Sequence, residues 1–540
     1  MNPIPTPSPG AAPPADAGSG RKKLDLLLRL ARDAGGGADR IRPRAQEGPA
    51  PLSFGQERLW LLHQLDPASA AYNVAGVFRL SRVDAPALER ALGEIIRRHQ
   101  ALRTVFREAD GMAVQEILPP GGFALPVEEL AGADEAAVLR RARAEAARPY
   151  DLATGPLFRP RLLRLDAEDM LLVNLHHAVA DGWSMGLLFR ELAALYAAYR
   201  RGEASPLPEP EVQYADFAVW QRERLRSETL ERQLAWWREQ LAGASPLLEL
   251  PLDHPRPPVQ RFCGARAVLD LPEELRERLL TLGRGADATL FMVLLAGFKT
   301  LLSRYGAGDD VVTGTPVSGR GRPEVEGLIG FFVNTLVLRT DLSGDPTFGE
   351  VVRRARETVL GAFDHQETPF ERLVAALQPE RSQGHAPLFQ VAFTLEAAAP
   401  ATAESAVALG LRPVALDRES AQFDLALTVT ELAEGLRASL TYDIDLFTDK
   451  TAAGMLSRYA RLLEQVAADP GARLSRLELL DADERRRLVE EWNQTSRPYP
   501  RGVCIHERFS AQVRALPDVE ALAWGPTRLT YAQQIGRAHV

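Results

Sequence analysis

Runs of apolar residues set the outline of the chain. Met170 to Val173 is continuously apolar and is followed after Asn174 by Leu175, the length and composition of a fully buried strand. Ala265-Arg-Ala-Val-Leu-Asp-Leu271 alternates instead, as a half-buried strand does. Ala288 to Ser303 carries a long apolar face at helical spacing, and Asp310 to Pro316 reads as a short strand entering a turn. Leu388 to Glu396 and Leu425 to Leu432 read as further strands. Strands alternating with helices predict an α/β architecture.

Other segments organise the chain around these elements. Glu211 to Leu241 reads as helical after the Pro-rich stretch Pro206 to Pro210, and its Trp220, Trp236 and Trp237 read as packing anchors at a junction, with a ligand box as the alternative. Met1 to Gly20 is rich in Pro, Ala, Gly and Ser and is expected to be disordered. Lys22 to Ala34 places Leu24, Leu27, Leu28 and Ala31 on one stripe before Gly35-Gly-Gly37, either a marginal helix resting on the next domain or a docking helix for an upstream partner.

Composition narrows the class. At 540 residues the chain exceeds one ordinary hydrophobic core, so two or three units are expected. A net charge of −8, with arginines interleaved among acids, argues against nucleic acid as partner. Cys263 and Cys504 are the two cysteines, without metal-ligand spacing or a disulfide framework, which fits a reducing cytoplasm. Neither a secretory leader nor a membrane span is expected.

Candidate chemistry concentrates after the buried strand. Residues 176 to 184 read His-His-Ala-Val-Ala-Asp-Gly-Trp-Ser, placing an imidazole at a strand mouth where it can handle an amine or hydroxyl proton near neutral pH. This stretch resembles the core motif of the condensation domains of non-ribosomal peptide synthetases. Six other segments match in the family's order: Leu52 to Trp60, Arg98 to Phe106, Tyr214 to Trp220, Ile329 to Thr335 with Arg339, His365 to Glu371, and Arg381 through Pro387 to Gln390. The departures, Gln100, Glu367 and Gln383-Gly-His385, leave the His-His core untouched and bear on fine specificity.

The resemblance implies an α/β fold of two chloramphenicol acetyltransferase-like lobes meeting in a V with a central tunnel. It implies amide bond formation between a donor acyl or peptidyl thioester and the α-amine of an acceptor aminoacyl thioester. No cofactor is expected to be bound by the domain itself, since the substrates ride on the 4′-phosphopantetheine of upstream and downstream peptidyl carrier proteins. His177 is the expected catalytic residue, handling the amine proton. His176, whose side chain points the other way on an extended chain, is expected to brace the loop, with direct substrate contact as the alternative. Gly182 offers close approach and an N–H for the oxyanion. Asp181 invites a charge-orienting role, but the resemblance implies a structural ion pair, with Arg103 nominated as its partner. Trp183 and Ser184 are expected on the tunnel wall, and Asn334 is a candidate amide donor to the cleft, with a structural hydrogen bond as the alternative.

The expected domains are a 1–48 N-terminal segment, an N-terminal lobe at 49–225, a C-terminal lobe at 226–480, a linker at 481–504 and the start of an adenylation domain at 505–534. Leu529-Thr-Tyr531 resembles that domain's earliest motif, the remainder of the domain is expected to be missing downstream, and Ile535 to Val540 reads as an adapter-derived artefact. No Gly-rich phosphate loop follows, so ATP chemistry is not expected of this polypeptide. A starter condensation domain taking a fatty acyl donor and an idle recruitment domain are the alternatives. Relatives of the second kind typically lose the second His or the Gly, and both are present here.

Overall fold

The computed structural model describes residues 40–46, 48–225, 228–379, 382–396, 410–414, 419–499 and 501–537. The stretches Met1 to Gly20 and Lys22 to Ala34, Arg381 and the last three residues lie outside the described residues. The chain divides into two units, Met1–Leu477 and Glu478–Val540.

In the first unit, a five-stranded sheet runs in the order β12-β2-β7-β6-β5. Its members are β2 (Asn73–Ser81), β5 (Val127–Glu129), β6 (Arg161–Arg164), β7 (Glu168–His176) and β12 (Arg412–Pro413). The predicted buried strand is β7, held between β2 and β6, with its register against β2 unbroken from Asn73↔His176 to Ser81↔Glu168. Helices α2 (Ala85–Arg98) and α4 (Gly182–Arg200) press Leu88, Leu92, Ile95, Leu188, Leu192 and Leu195 into one core with Leu171, Val173 and Leu175 of β7. That core fixes where β7 ends, and the His-His pair with it. Helix α1 (Phe54–Leu65) is capped by Ser53, whose hydroxyl accepts from the Gln56 N–H, and α3 (Glu135–Ala146) is capped in the same way by Asp134. A small sheet of β1 (Ala50–Pro51), β4 (Met112–Ile117) and β3 (Thr104–Ala109) lies alongside.

The second sheet has seven strands in the order β10-β9-β11-β14-β15-β8-β13. They are β8 (Cys263–Leu271), β9 (Asp310–Val317), β10 (Asn334–Asp341), β11 (Val391–Glu396), β13 (Glu419–Ser420), β14 (Leu425–Leu432) and β15 (Gly435–Asp443). Four helices accompany it: α7 (Glu273–Gly285), α8 (Leu290–Leu302), α10 (Phe348–Asp364) and α12 (Asp449–Ala468). Helix α8 is apolar on nearly every face and is correspondingly sunk in the core. The stretch Leu290–Ala307 has the length and composition of a membrane span, but 72% of it is buried within the protein, as a core helix is. Two α/β lobes of this kind make up the fold.

Two features depart from the sequence reading. The helix expected over Glu211 to Leu241 is two, α5 (Tyr214–Arg224) and α6 (Glu228–Gln240), because Leu225 turns its side chain inward and leaves helical geometry at φ −90°, ψ 29°. The short strand β12 comes from the second half of the chain yet pairs with β2 of the first sheet, Arg412↔Arg79 and Pro413↔Phe78.

The second unit holds a short helix at Ala482–Arg486, a helix at Ile505–Ala515, a hairpin of Glu520–Trp524 with Thr527–Thr530, and a helix at Tyr531–Arg537.

Candidate active site

Strand β7 stops at His176, and the chain makes one 3-10 turn through His177–Val179 before Asp181 caps α4. The turn is tied from outside. The His177 N–H donates to the Tyr72 carbonyl at 2.8 Å, and Gln56 Nε2 of α1 donates to the Ala178 carbonyl at 3.2 Å. His177 Nδ1 lies 2.8 Å from the Ala180 carbonyl oxygen. A carbonyl only accepts, so Nδ1 carries the proton and Nε2 keeps its lone pair. Burial lowers the His177 pKa below the ordinary imidazole value, against the opposing pull of the Ala180 carbonyl and of Asp181, while the Arg58 charge pushes the same way as burial. The neutral ring is therefore a proton acceptor at neutral pH.

His176 sits on the opposite side of the chain and is 5% exposed. Its Nδ1 accepts from the Ala178 N–H at 3.2 Å and its ring meets Tyr150 edge-on at 5.8 Å. Burial, helped by the neighbouring His177 and His63, takes its pKa down to about 3. A ring in this state braces the turn and does not exchange protons near neutrality.

Asp181 is fully buried, and each of its oxygens is occupied. Oδ1 accepts from the Ser184 N–H at 2.8 Å, from Ser184 Oγ at 2.7 Å and from Arg320 Nη2 at 3.1 Å; Oδ2 accepts from the Phe332 N–H at 3.1 Å. Arg320 in turn gives Nη1 to the carbonyls of Val325 and Leu328, at 2.6 and 2.7 Å. The Asp181 carboxylate is turned to Ser184, Arg320 and Phe332, and His177 Nδ1 to the Ala180 carbonyl, so the pair is not arranged as in a triad.

The nomination of Arg103 as the Asp181 partner is overturned. Arg103 donates to the Leu118 carbonyl beside the small sheet, whereas the cap of α4 faces the loop that follows β9, and that loop supplies Arg320. Gly319 makes this approach possible: its φ is +63°, and a Cβ there would lie 2.0 Å from the Phe332 carbonyl oxygen. Ser184, expected on a tunnel wall, is 1% exposed and sits inside this network, with Oγ also accepting from Arg320 Nη2 at 2.9 Å and from the Gly330 N–H at 3.1 Å. Trp183 is half exposed and its indole N–H donates to the Glu326 carbonyl at 3.0 Å, bridging α4 to the short helix α9 (Pro323–Glu326).

Asn334 resolves towards structure. Its Nδ2 donates to the carbonyls of Gln366 and Thr368 at 2.8 and 2.7 Å, and Oδ1 accepts from the Phe370 N–H at 3.1 Å, which fixes the start of α11 (Phe370–Leu377). Gly182 is the first residue of α4 and is exposed, and nothing lies within 4 Å of where its Cβ would stand. Its N–H is in the first turn of the helix, where intrahelical acceptors are lacking.

A cavity of about 400 Å³ opens beside this centre. Phe217, Trp220, Leu225, Phe331, Phe332 and Val333 supply apolar wall, and the Arg224–Glu367 ion pair, at 3.0 Å, lies on its lining. Trp220 thus faces a cavity, whereas Trp237 is 2% exposed and Trp236 stacks on His365 at 4.1 Å as packing. Phe331 belongs to both regions, because its ring also meets His177 edge-on at 4.9 Å. The residues that sequence reasoning did not single out are Arg320, Gln56, Tyr214 and Phe331. The last three lie inside the family's motif segments. The first was signalled only by the run Ser318-Gly-Arg-Gly-Arg322, where two glycines flank an arginine.

Known proteins resemble this chain in sequence and in fold. The family model described as "Condensation domain" matches residues 46–489. A linear gramicidin synthase polypeptide from Brevibacillus parabrevis is 43% identical over 528 residues, 96% of this chain and 10% of that protein. Phosphinothricin tripeptide synthetase PhsC from Streptomyces viridochromogenes is 40% identical over 514 residues, 94% of this chain and 47% of that protein. The chain thus spans less than half the length of either relative. Among solved structures, the X-domain in complex with OxyB from teicoplanin biosynthesis aligns with a TM-score of 0.75 at 32% identity, covering 83% of this chain and 99% of that one. The four-domain nonribosomal peptide synthetase AB3403 aligns with a TM-score of 0.78 at 22% identity, over 93% of this chain and 40% of that one, a likeness of fold.

Proposed function

The chain belongs to the condensation domain family, and from that premise we propose that it forms an amide between a donor acyl or peptidyl thioester and the α-amine of an acceptor aminoacyl thioester. Both substrates arrive on the phosphopantetheine arms of carrier proteins. The observation that carries the reading is the tautomer of His177, with Nδ1–H given to the Ala180 carbonyl and Nε2 left as a lone pair.

In this reaction the amine nitrogen attacks the thioester carbonyl carbon, the C–N bond forms, and negative charge gathers on the carbonyl oxygen. The N–H of Gly182, at the positive end of α4, is the donor assigned to that oxygen. A free α-amine has a reference pKa of about 7.7 to 8.0, so a useful fraction is already neutral at pH 7. An imidazole of lowered pKa is a poor base for the free ammonium but a competent one for the far more acidic ammonium of the tetrahedral intermediate. His177 Nε2 takes that proton as the intermediate collapses; the C–S bond then breaks and the departing thiolate takes the proton from the imidazolium, which returns His177 to its neutral form. Holding both thioesters in one place contributes the effective molarity that two free reactants lack.

The test supplies two carrier proteins, one loaded with a donor acyl group and one with an acceptor amino acid, and follows the new dipeptidyl carrier by mass. Product that depends on the chain and on both loaded carriers supports the reading. Background product, together with stable capture of a second protein, as the teicoplanin X-domain holds OxyB, would instead favour a recruitment role.

A further inference from the structure

Phe331 stands between the His177 ring and the cavity. On one side its ring meets His177 and packs against the core that holds Ala178 and Val179. On the other it lines the 400 Å³ cavity and packs against the core cluster that holds Tyr214, Phe217 and Phe332. His177 is not part of the cavity lining; Phe331 is.

The backbone around this ring is fixed. The Phe331 carbonyl accepts from Tyr214 Oη at 2.6 Å, and the next N–H, of Phe332, is held by Asp181. Movement here is therefore left to the side chain. Across from it, Gly55 of α1 leaves a gap that the ring fills: a Cβ on Gly55 would stand 2.8 Å from Phe331 Cε1. Glycine weakens a helix through the freedom it loses on folding, and the close approach of this ring accounts for one here.

We infer that Phe331 is a gate and a specificity-determining residue, its ring separating His177 from the cavity and limiting the size of the group that the cavity presents to it. The inference rests on the amide-forming reading above and assigns the cavity to the apolar side chain of one carrier-bound acyl group. Phe217, Trp220, Phe332 and Val333 offer apolar contacts to such a group, while on the same lining Arg224 pairs with Glu367, Glu371 pairs with Arg58 at 3.6 Å and the Arg322 guanidinium lies 5.1 Å from the Trp220 ring.

The experiment compares the parent with Phe331→Ala, Gly55→Ala and the double variant Gly55→Ala/Phe331→Leu. Carriers loaded with alanine, leucine, phenylalanine and tryptophan are varied first as donor and then as acceptor. In Phe331→Ala the rate ratio of the bulkiest to the smallest group rises about tenfold or more in one of the two series. Gly55→Ala drives the ring out of its place and lowers kcat on the order of tenfold to a hundredfold with every substrate, and Phe331→Leu restores most of that loss. Unchanged size ratios in both series, or a Gly55→Ala loss that Phe331→Leu does not restore, overturns the gate. A second readout needs no turnover: in histidine-labelled protein, the NMR titration of His177 moves up towards the ordinary imidazole range in Phe331→Ala, because cavity water reaches the ring. An unmoved titration also overturns the gate. Should the parent form no amide, the titration still decides on the gate, and the missing product counts against the proposed function alone.

Discussion

Arg320 reaches from the loop after β9 to Asp181 at the cap of α4, 3.1 Å apart with both side chains shielded from water. The turn that carries His177 is thereby clamped between a strand of one sheet and a loop belonging to the other. Asp181→Ala leaves the Arg320 guanidinium buried without its carboxylate, which costs about 3–5 kcal/mol. Arg103→Ala removes a hydrogen bond to the Leu118 carbonyl and costs about 1 kcal/mol. Urea unfolding of the two variants measures the difference, and equal losses would mean that the pair does not clamp the fold.

His177→Ala is expected to fold as the parent does and to lose amide formation by on the order of 10² or more. Circular dichroism checks the fold and single-turnover transfer between loaded carriers checks the rate. Parental transfer by this variant removes the imidazole from the mechanism.

The pH profile separates the imidazole from the substrate amine. For His177 as the proposed neutral base, burial lowers the pKa, so its limb falls below the ordinary imidazole value of about 6.5, apart from the amine limb near 7.7 to 8.0. Activity then declines with one slope below pH 8 and a steeper one once His177 takes up a proton. His177→Gln removes the lower limb only; a parent profile with the amine limb alone would sink the assignment.

His176 makes the fold sensitive to acid. Its pKa is about 3 in the folded protein against about 6.5 when unfolded, so the unfolded chain binds the extra proton and stability falls as pH drops below 6.5. Between pH 6.5 and 5 this amounts to about 2 kcal/mol. His176→Asn, which keeps an acceptor near the Ala178 N–H, loses that part of the pH dependence while the carboxylate contributions stay. Identical slopes for parent and variant in denaturant titrations at the two pH values would disprove it.

Gly182→Ala tests whether the open space at the head of α4 belongs to substrate. No neighbour lies within 4 Å of the added methyl, so melting should stay within about 0.5 kcal/mol of the parent. A slower transfer at unchanged stability is expected, because the methyl occupies room needed beside the oxyanion donor. A variant as fast as the parent places the reacting carbonyl elsewhere.

How far the sequence could be read followed from the range of each interaction. Strand β7, the end of that strand at the His-His pair and the apolar helix α8 were legible because each is written in consecutive residues with one period. The tautomer of His177 was not, since it depends on a carbonyl brought round by a single 3-10 turn. The partner of Asp181 lies 139 residues away and beyond a change of sheet. Nothing near Asp181 in sequence distinguishes Arg320 from Arg103, and only the φ of Gly319 and the direction of the α4 cap decide between them. Asn334 shows the same limit, because an amide reads alike whether it faces substrate or three backbone groups.

The two-residue strand β12 reaches back to pair with β2, which lies more than three hundred positions earlier in the chain. During synthesis the outer edge of β2 has no neighbour until residues 412 and 413 have left the ribosome, long after the rest of its sheet is available. Through that interval the growing polypeptide carries an open β-edge, the kind of surface that recruits other strands and that chaperones shield. A fragment cut after the first sheet would keep the edge open permanently and would also lack Ile329 and Leu411 of the core beside it, so aggregation of such fragments is expected.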